Sequence, residues 1–163
     1  MRVLFLCTGN SARSQIAEAL LTTKRDPRLE AGSAGTAPAP RVNPFAIEEL
    51  KRRGIDWSHA RPRTVDDAMK ERWDIVITVC DNARESCPVF PGRPVTAHWG
   101  VPDPAAVIGD DLARRRAFQE AALVLGRRID LLVALPLERL EALALSQKLK
   151  AIGREGSAPK AAT

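Results

Sequence analysis

The 163-residue chain contains no tyrosine, two histidines and three cysteines, and aromatic residues make up only 4% of it. Its net charge of +5 would suit a nucleic-acid partner, but the basic residues are scattered and few aromatic side chains accompany them. No apolar stretch approaches the ~20 residues that a membrane-spanning helix requires. We therefore expect neither a nucleic acid nor a membrane as partner.

The N-terminus lacks the pattern of a secretory signal, because Arg2 precedes only a short apolar run before a polar stretch begins. We therefore expect a cytoplasmic protein. The cysteines form no C-x2-C pair and have no suitably spaced pair of histidines beside them, which disfavours a zinc site, so we expect no metal. The reducing cytosol disfavours a permanent disulfide.

Short apolar runs alternate with helical periods along the chain, which is typical of a parallel sheet covered by helices on both faces. Strands are predicted at residues 2–6, 29–33, 74–79 and 94–98, and helices at residues 14–24, 44–53, 66–72, 110–134 and 137–152. The helix at residues 44–53 has Asn43 as its N-cap, Pro44 at its first position and Gly54 as its stop. Residues 35–43 are predicted to form a surface loop. With no internal repeat, we expect a single domain over residues 1–152 and a flexible tail over residues 153–163.

The first strand leads directly into the sequence Cys7-Thr8-Gly9-Asn10-Ser11-Ala12-Arg13-Ser14. Its form, C-x5-R-S, allows one loop to surround a tetrahedral oxyanion, because backbone amides at a helix N-terminus point inward and the helix dipole favours negative charge. Arg13 can close this loop as a planar donor to two oxygens. The same field favours the thiolate form of Cys7, the form that attacks. A lone cysteine here would more often be core packing, but the neighbouring arginine, serine and turn-forming residues favour an oxyanion site.

Two further segments follow the third and fourth predicted strands, whose carboxyl ends share one crevice with the Cys7 loop. The first begins at Cys80 and ends at Cys87, so that three thiols can meet there. A structural disulfide or a metal pair is the alternative use of these two cysteines. The second segment carries Asp103 on a loop flanked by prolines, where its carboxyl can donate a proton to a leaving oxygen. The alternative role for Asp103 is that of a cap or turn carboxylate.

These motifs resemble the thioredoxin-coupled arsenate reductases, which share the fold of the low-molecular-weight protein tyrosine phosphatases. The resemblance rests on residues 7–15, on Cys80 and on Cys87 followed by Pro88, and on the segment His98-Trp99-Gly100-Val101-Pro102-Asp103-Pro104-Ala105. It covers residues 1–152. It implies a flavodoxin-like α/β fold with a central four-stranded parallel sheet and a phosphate-binding loop after the first strand.

The resemblance also implies a reaction and a set of residues. Cys7 would attack arsenate, which is held by the loop amides and Arg13, while Ser14 stabilises the thiolate and Asp103 protonates the departing oxygen. Cys80 and then Cys87 would resolve the adduct, releasing arsenite and leaving a Cys80–Cys87 disulfide for thioredoxin. The catalytic residues would be Cys7, Arg13, Ser14, Cys80, Cys87 and Asp103, and the oxyanion would be bound by Thr8, Gly9, Asn10, Ser11, Ala12, Arg13 and Ser14. No cofactor is implied, and we expect a monomer.

The alternatives are a low-molecular-weight protein tyrosine phosphatase that uses the same loop, and a non-catalytic sensor of redox state or anions. A phosphatase needs no second or third thiol, and members of that group usually carry aromatic residues where this chain has Ala105. Some relatives bind potassium through residues that match Asn10, Glu18 and Ser33 together with an acidic residue. Arg63 occupies that acidic position in our alignment, so we expect its guanidinium to replace the cation; the nearby Asp66 and Asp67 leave an alternative register open.

Overall fold

A four-stranded parallel sheet forms the centre of the protein, for which the computed structural model describes residues 1–156. The strands lie in the order β2-β1-β3-β4, and all three neighbouring pairs are parallel. They are β1 (Arg2–Cys7), β2 (Glu30–Gly35), β3 (Ile75–Thr78) and β4 (Val95–His98). The two central strands, β1 and β3, are almost wholly buried, as expected for a parallel sheet covered on both faces. The predicted fold class is confirmed.

Six α-helices and two 3₁₀ turns are present in the described residues. The helices are α1 (Arg13–Thr23), α2 (Pro44–Arg52), α3 (Val65–Ala68), α4 (Asp81–Glu85), α5 (Asp111–Val133) and α6 (Ala142–Arg154). The 3₁₀ turns are Pro104–Ala106 and Leu137–Arg139. Helices α1, α2 and α5 pack against one another, whereas α3 contacts β2, α4 contacts β1 and β3, and α6 contacts β4. None of these helices is long and apolar enough to cross a bilayer.

The predicted signals at α2 are confirmed. The Asn43 side chain accepts a hydrogen bond from the Phe45 backbone N–H at 2.9 Å, Pro44 occupies the first helical position, and Gly54 ends the helix with a φ of 79°. The third helix begins one residue earlier than predicted, where the Thr64 side chain caps it, and it already ends at Ala68. Helix α4, which follows Cys80 directly, was not predicted.

The C-terminal helix also differs from its prediction over residues 137–152. Leu137 lies in a separate 3₁₀ turn, where it is buried, and Leu140 and Glu141 are extended, so that the chain changes direction before α6 begins. The helix then continues through Gly153 to Arg154, two residues past the predicted end. Of the tail predicted over residues 153–163, the first two residues are therefore helical, and residues 157–163 lie outside the described part of the chain.

Small residues in β2 allow the neighbouring elements to approach closely. A Cβ atom on Gly32 would lie 2.4 Å from the Trp73 ring, and one on Gly35 would lie 2.5 Å from the carbonyl oxygen of Thr8. The absence of these side chains brings Ser33 of β2 beneath the loop that follows β1. In this way β2 supports that loop from below.

Candidate active site

The loop of residues 8–12 joins β1 to α1, and three of its carbonyl groups are bonded to residues 37–43. The backbone N–H groups of Ala37, Ala39 and Asn43 donate to the carbonyl oxygens of Thr8, Gly9 and Ser11 at 2.8–2.9 Å. Residues 36–43, predicted as a plain surface loop, therefore hold the anion loop in place. Within residues 1–156, no backbone N–H group of residues 8–14 donates to a protein acceptor. Such a run of free amides at a helix N-terminus is suited to binding an oxyanion.

Asn10 is the centre of this loop, fully buried and held in the left-handed region at a φ of 46°. Its Oδ1 accepts hydrogen bonds from the backbone N–H of Arg63 at 2.9 Å and from Gln15 Nε2 at 3.3 Å. Because a backbone N–H can only donate, the orientation of the Asn10 amide is fixed. Its Nδ2 therefore donates to the hydroxyl oxygens of Ser14 and Ser33, each at 2.9 Å.

This orientation settles the direction of the hydrogen bond between Ser14 and the Cys7 sulfur. The two atoms lie 2.9 Å apart, and Cys7 is buried. Since Ser14 Oγ already accepts from Asn10, its own proton is free to be donated to Cys7 Sγ. A donor aimed at sulfur stabilises a thiolate more than a thiol.

Arg13 and Asp103 face each other at the mouth of the loop. Arg13 Nη1 donates to the Val101 carbonyl at 2.8 Å, and its Nη2 lies 3.7 Å from Asp103 Oδ2. The other carboxylate oxygen, Oδ1, accepts from the Ala105 N–H at 3.0 Å and caps the 3₁₀ turn. Asp103 thus caps the turn with Oδ1, the alternative role considered for it, while Oδ2 lies beside Arg13.

The two remaining cysteines flank α4, and all three thiols are free. Cys80 is the N-cap of α4, is buried, and lies 3.4 Å from the hydroxyl of Thr8, the residue next to Cys7. Cys87 is half-buried beyond the far end of α4, where it packs against the hydrophobic core and its sulfur lies 3.6 Å from the carbonyl of the adjacent Pro88. Burial raises the pKa of the Cys87 thiol. The structure thus places the predicted residues at one edge of the sheet.

Two residues near the site were not singled out by the sequence analysis for the roles seen here. His98, at the end of β4, bonds Thr78 Oγ1 at 2.8 Å through Nδ1 and Asp81 Oδ1 at 2.9 Å through Nε2, so it ties the start of α4 to the sheet. Arg128 of α5 is 3% exposed and donates to the Gly100 carbonyl at 3.1 Å. Burial lowers the pKa of Arg128. An arginine within an amphipathic helix gives no sequence signal of such burial.

Arg63, which we expect to replace a cation, contacts both Ser33 and Glu71. The Arg63 side chain donates from Nε to the Ser33 carbonyl at 2.9 Å, and its Nη1 lies 2.7 Å from Glu71. The Ser33 hydroxyl in turn donates to Glu18. Burial raises the pKa of Glu18, while the Ser33 hydrogen bond and the Arg63 charge act in the opposite direction. Arg63 therefore lies beside the group matched to the potassium ligands.

A comparison with known proteins supports the assignment made from the motifs. The profile of the family described as low molecular weight phosphotyrosine protein phosphatase matches residues 2–140. The chain belongs to this family. Curated relatives include the arsenate reductases of Halalkalibacterium halodurans, 37% identical over 127 residues, and of Bacillus subtilis (strain 168), 35% identical over 127 residues. Each alignment covers 78% of this chain and 91% of the relative.

Solved structures that are similar to this chain include two arsenate reductases and a protein tyrosine phosphatase. The thioredoxin-dependent arsenate reductase Cg_ArsC1' of Corynebacterium glutamicum is 33% identical with a TM-score of 0.62, over 80% of this chain and 59% of that one. This chain therefore spans less than two thirds of the Corynebacterium protein. The arsenate reductase of Archaeoglobus fulgidus is also 33% identical with a TM-score of 0.62, over 78% of this chain and 98% of that one. A low molecular weight protein tyrosine phosphatase from T. tengcongensis is 27% identical with a TM-score of 0.68, covering 86% and 99%.

Proposed function

We propose that this protein reduces arsenate to arsenite through a relay of three cysteines and that thioredoxin reduces the final disulfide. The observation that carries the proposal is that Cys80 and Cys87 line one crevice with Arg13 and Asp103, and that Cys80 lies 3.4 Å from the hydroxyl of Thr8, the neighbour of Cys7. The similarity to arsenate reductases, one of them thioredoxin-dependent, supports it. We infer further that the protein acts as a cytoplasmic monomer.

The first step forms a bond between sulfur and arsenic. The Cys7 thiolate, stabilised by Ser14, attacks arsenate held by the amides of residues 8–14 and by the planar guanidinium of Arg13. One arsenate oxygen leaves as water after Asp103 donates a proton to it. Arsenic remains pentavalent in the resulting adduct.

The second step reduces arsenic. The Cys80 thiolate attacks the Cys7 sulfur, the sulfur–arsenic bond breaks, and its electron pair passes to arsenic, which leaves as trivalent arsenite. Cys80 is suited to this attack because it lies against Thr8, directly beside Cys7. The product is a Cys7–Cys80 disulfide, which balances the two electrons gained by arsenic.

In the third step Cys87 attacks Cys80 and frees Cys7. Seven positions that are largely helical separate the two cysteines, which amounts to about 10 Å along a helix axis. A disulfide needs Cα atoms within about 7 Å. Helix α4 must therefore unwind or shift, which exposes the Cys80–Cys87 bond for exchange with thioredoxin.

The test measures arsenite release with a thioredoxin system beside hydrolysis of p-nitrophenyl phosphate. We expect multiple turnovers of arsenate and slow phosphate hydrolysis. The phosphatase relatives supply the second candidate function, since the same Cys7, Arg13 and Asp103 would serve aryl phosphate hydrolysis. Efficient phosphate hydrolysis without arsenite release would establish that alternative, and the absence of both would favour a sensor.

Variants of the two resolving cysteines test the order of the thiols. Cys87→Ser is expected to release one arsenite per enzyme and to stop as a Cys7–Cys80 disulfide, identified by mass spectrometry of its peptides. Cys80→Ser is expected to stall before arsenite is released. If Cys87→Ser turns over repeatedly with thioredoxin, the three-cysteine relay is wrong.

A further inference from the structure

Helix α6 begins after residue 140, where the family match ends, and it is docked firmly on the end of β4. The Trp99 indole N–H donates to the Leu149 carbonyl at 2.9 Å. A Cβ atom on Gly153 would lie 2.3 Å from the His98 carbonyl oxygen, so the helix backbone touches the strand end. Arg128 links the Gly100 carbonyl to the Glu155 carbonyl, at 3.1 and 3.4 Å. Contacts at Leu149, at Gly153 and at Glu155, just after the helix, therefore fix the position of α6.

This docking makes α6 one wall of the groove that contains the resolving cysteines. The segment of residues 80–94 forms the opposite wall, with Cys80 and Cys87 lining it. Lys150, Gly153 and Arg154 line the α6 side. Next to Cys87, the exposed apolar side chain of Val89 is 89% accessible.

The groove carries an excess of positive charge on both walls. Arg84 and Arg93 project from the cysteine segment, and Lys150 and Arg154 from α6. Within residues 1–156 none of these four forms an ion pair. The two acidic residues that line the groove have partners of their own, because Asp81 bonds His98 and Asp103 faces Arg13. The basic side chains are therefore free to contact an outside molecule.

We propose that Lys150 and Arg154 of α6, together with Arg84 and Arg93, form a docking surface for the acidic face of the protein dithiol that reduces the Cys80–Cys87 disulfide. The proposal rests on the proposed function and adds the surface that recognises the reductant. Opposite charges around a groove steer a partner into place and raise its association rate. Helix α6 lies outside residues 2–140, so this half of the surface falls outside the part of the chain that the family profile matches.

The chemistry at this surface is thiol–disulfide exchange. A thiolate of the partner attacks one sulfur of the Cys80–Cys87 bond, and the other cysteine leaves as a thiolate. The second thiol of the partner then attacks the mixed disulfide. The partner ends as a disulfide, having given up two electrons, and both cysteines end as thiols.

The experiment uses the Cys7→Ser protein, in which Cys80 and Cys87 can form the only intramolecular disulfide. Its oxidised form is reduced either by a bacterial thioredoxin of net negative charge, with thioredoxin reductase and NADPH, or by uncharged dithiothreitol. Lys150→Glu with Arg154→Glu is compared with Lys148→Glu with Arg139→Glu, an equal change of charge at exposed positions outside the groove. Arsenite release is measured separately on the three-cysteine protein, so a failure of the proposed function is distinguished from a failure of docking.

We expect the groove variant to lose about tenfold in the second-order rate constant with thioredoxin and to keep its rate with dithiothreitol. Added salt should slow the reaction of the parent protein with thioredoxin and leave that of the groove variant nearly unchanged. Equal losses in the groove and control variants would overturn the proposal. So would a loss of the same size with dithiothreitol, because the effect would then lie in the disulfide itself.

Discussion

The anion loop of residues 7–14 and the cysteine segment of residues 80–94 lie side by side but are held in opposite ways. Four carbonyl groups of the loop accept hydrogen bonds from residues 36–43, and its centre, Asn10, makes four side-chain hydrogen bonds, three of them to residues outside the loop. Within residues 1–156, residues 82–94 form no hydrogen bond to anything outside the segment itself. Buried Ala83 and Phe90 anchor the segment instead.

The difference matches the tasks that we propose for the two regions. The nucleophile needs a fixed geometry, since small displacements from a productive arrangement reduce the rate strongly. The resolving thiols need to change position during the relay. A segment held by apolar contacts, without hydrogen bonds to the rest of the protein, can open at a low cost in free energy. Matched substitutions in the two regions test this contrast.

The largest effect is expected for Asn10→Ala. Alanine removes the centre of the hydrogen-bond network and leaves the Arg63 backbone N–H without its acceptor. It also places alanine, which disfavours positive φ, at a φ of 46°. We expect a loss of about 3 kcal/mol in the free energy of unfolding, measured by urea denaturation. Asn82→Ala, at an exposed position on α4, is the matched control and should change stability by less than about 0.5 kcal/mol. Similar values for the two variants would contradict the contrast.

A smaller loss is expected for Gly153→Ala. This substitution acts on the contact between α6 and the end of β4, the strand that follows the cysteine segment. The new methyl group would meet the His98 carbonyl and Trp99, at a cost of about 2 kcal/mol. Gly126→Ala is the control, since it is also a helical glycine but has nothing within 4 Å of the added atom. It should stabilise by about 0.5–1 kcal/mol. Thermal unfolding of both variants measures the difference, and stabilisation by both would show that α6 is loosely packed.

Much of the fold could be predicted because β1, β3 and α2 carry strong local signals. Helix α4 has only five residues, and its start depends on Cys80 capping it, which no periodicity reveals. The break before α6 follows from burial of Leu137 against the core, a tertiary effect. The grouping of the site residues could be predicted from the sequence. The spacing of one motif placed Cys7 and Arg13 in the same loop, and the topology of the sheet brought Asp103 to the same edge. The hydrogen-bond directions around Asn10 could not be predicted, although its preference for positive φ in a loop was a usable signal.

Ser14→Ala tests whether the loop activates sulfur as well as holding the anion. The variant loses the donor to Cys7 Sγ, and we expect the first covalent step to slow by about tenfold in rapid-quench measurements. Ser86→Ala is the counterpart in the cysteine segment, where the hydroxyl donates to the Asn82 carbonyl. That variant should keep the parent rate. An unchanged rate in Ser14→Ala would show that Ser14 only fills space.

A smaller effect is expected when the pH changes. Burial raises the pKa of Cys87, so less of it is thiolate at neutral pH than for an ordinary cysteine. Formation of the Cys80–Cys87 disulfide in a single turnover should therefore accelerate as the pH rises from about 7 to about 9. Trapping with an alkylating agent followed by mass spectrometry measures this step separately from arsenite release. A rate that is flat over this range would indicate that opening of α4, rather than thiolate formation, limits the step.

The side chain of Arg63 bears on how the protein responds to the potassium concentration of its medium. A potassium ion bound beside Glu18 would be in exchange with the medium, and its occupancy would follow the ion concentration. A guanidinium attached to the chain cannot dissociate, so the charge beside Glu18 and Ser33 is always present. We therefore expect the support beneath the anion loop to be independent of the ionic composition of the medium. Replacing sodium by potassium should leave both the melting temperature and the reaction rate nearly the same.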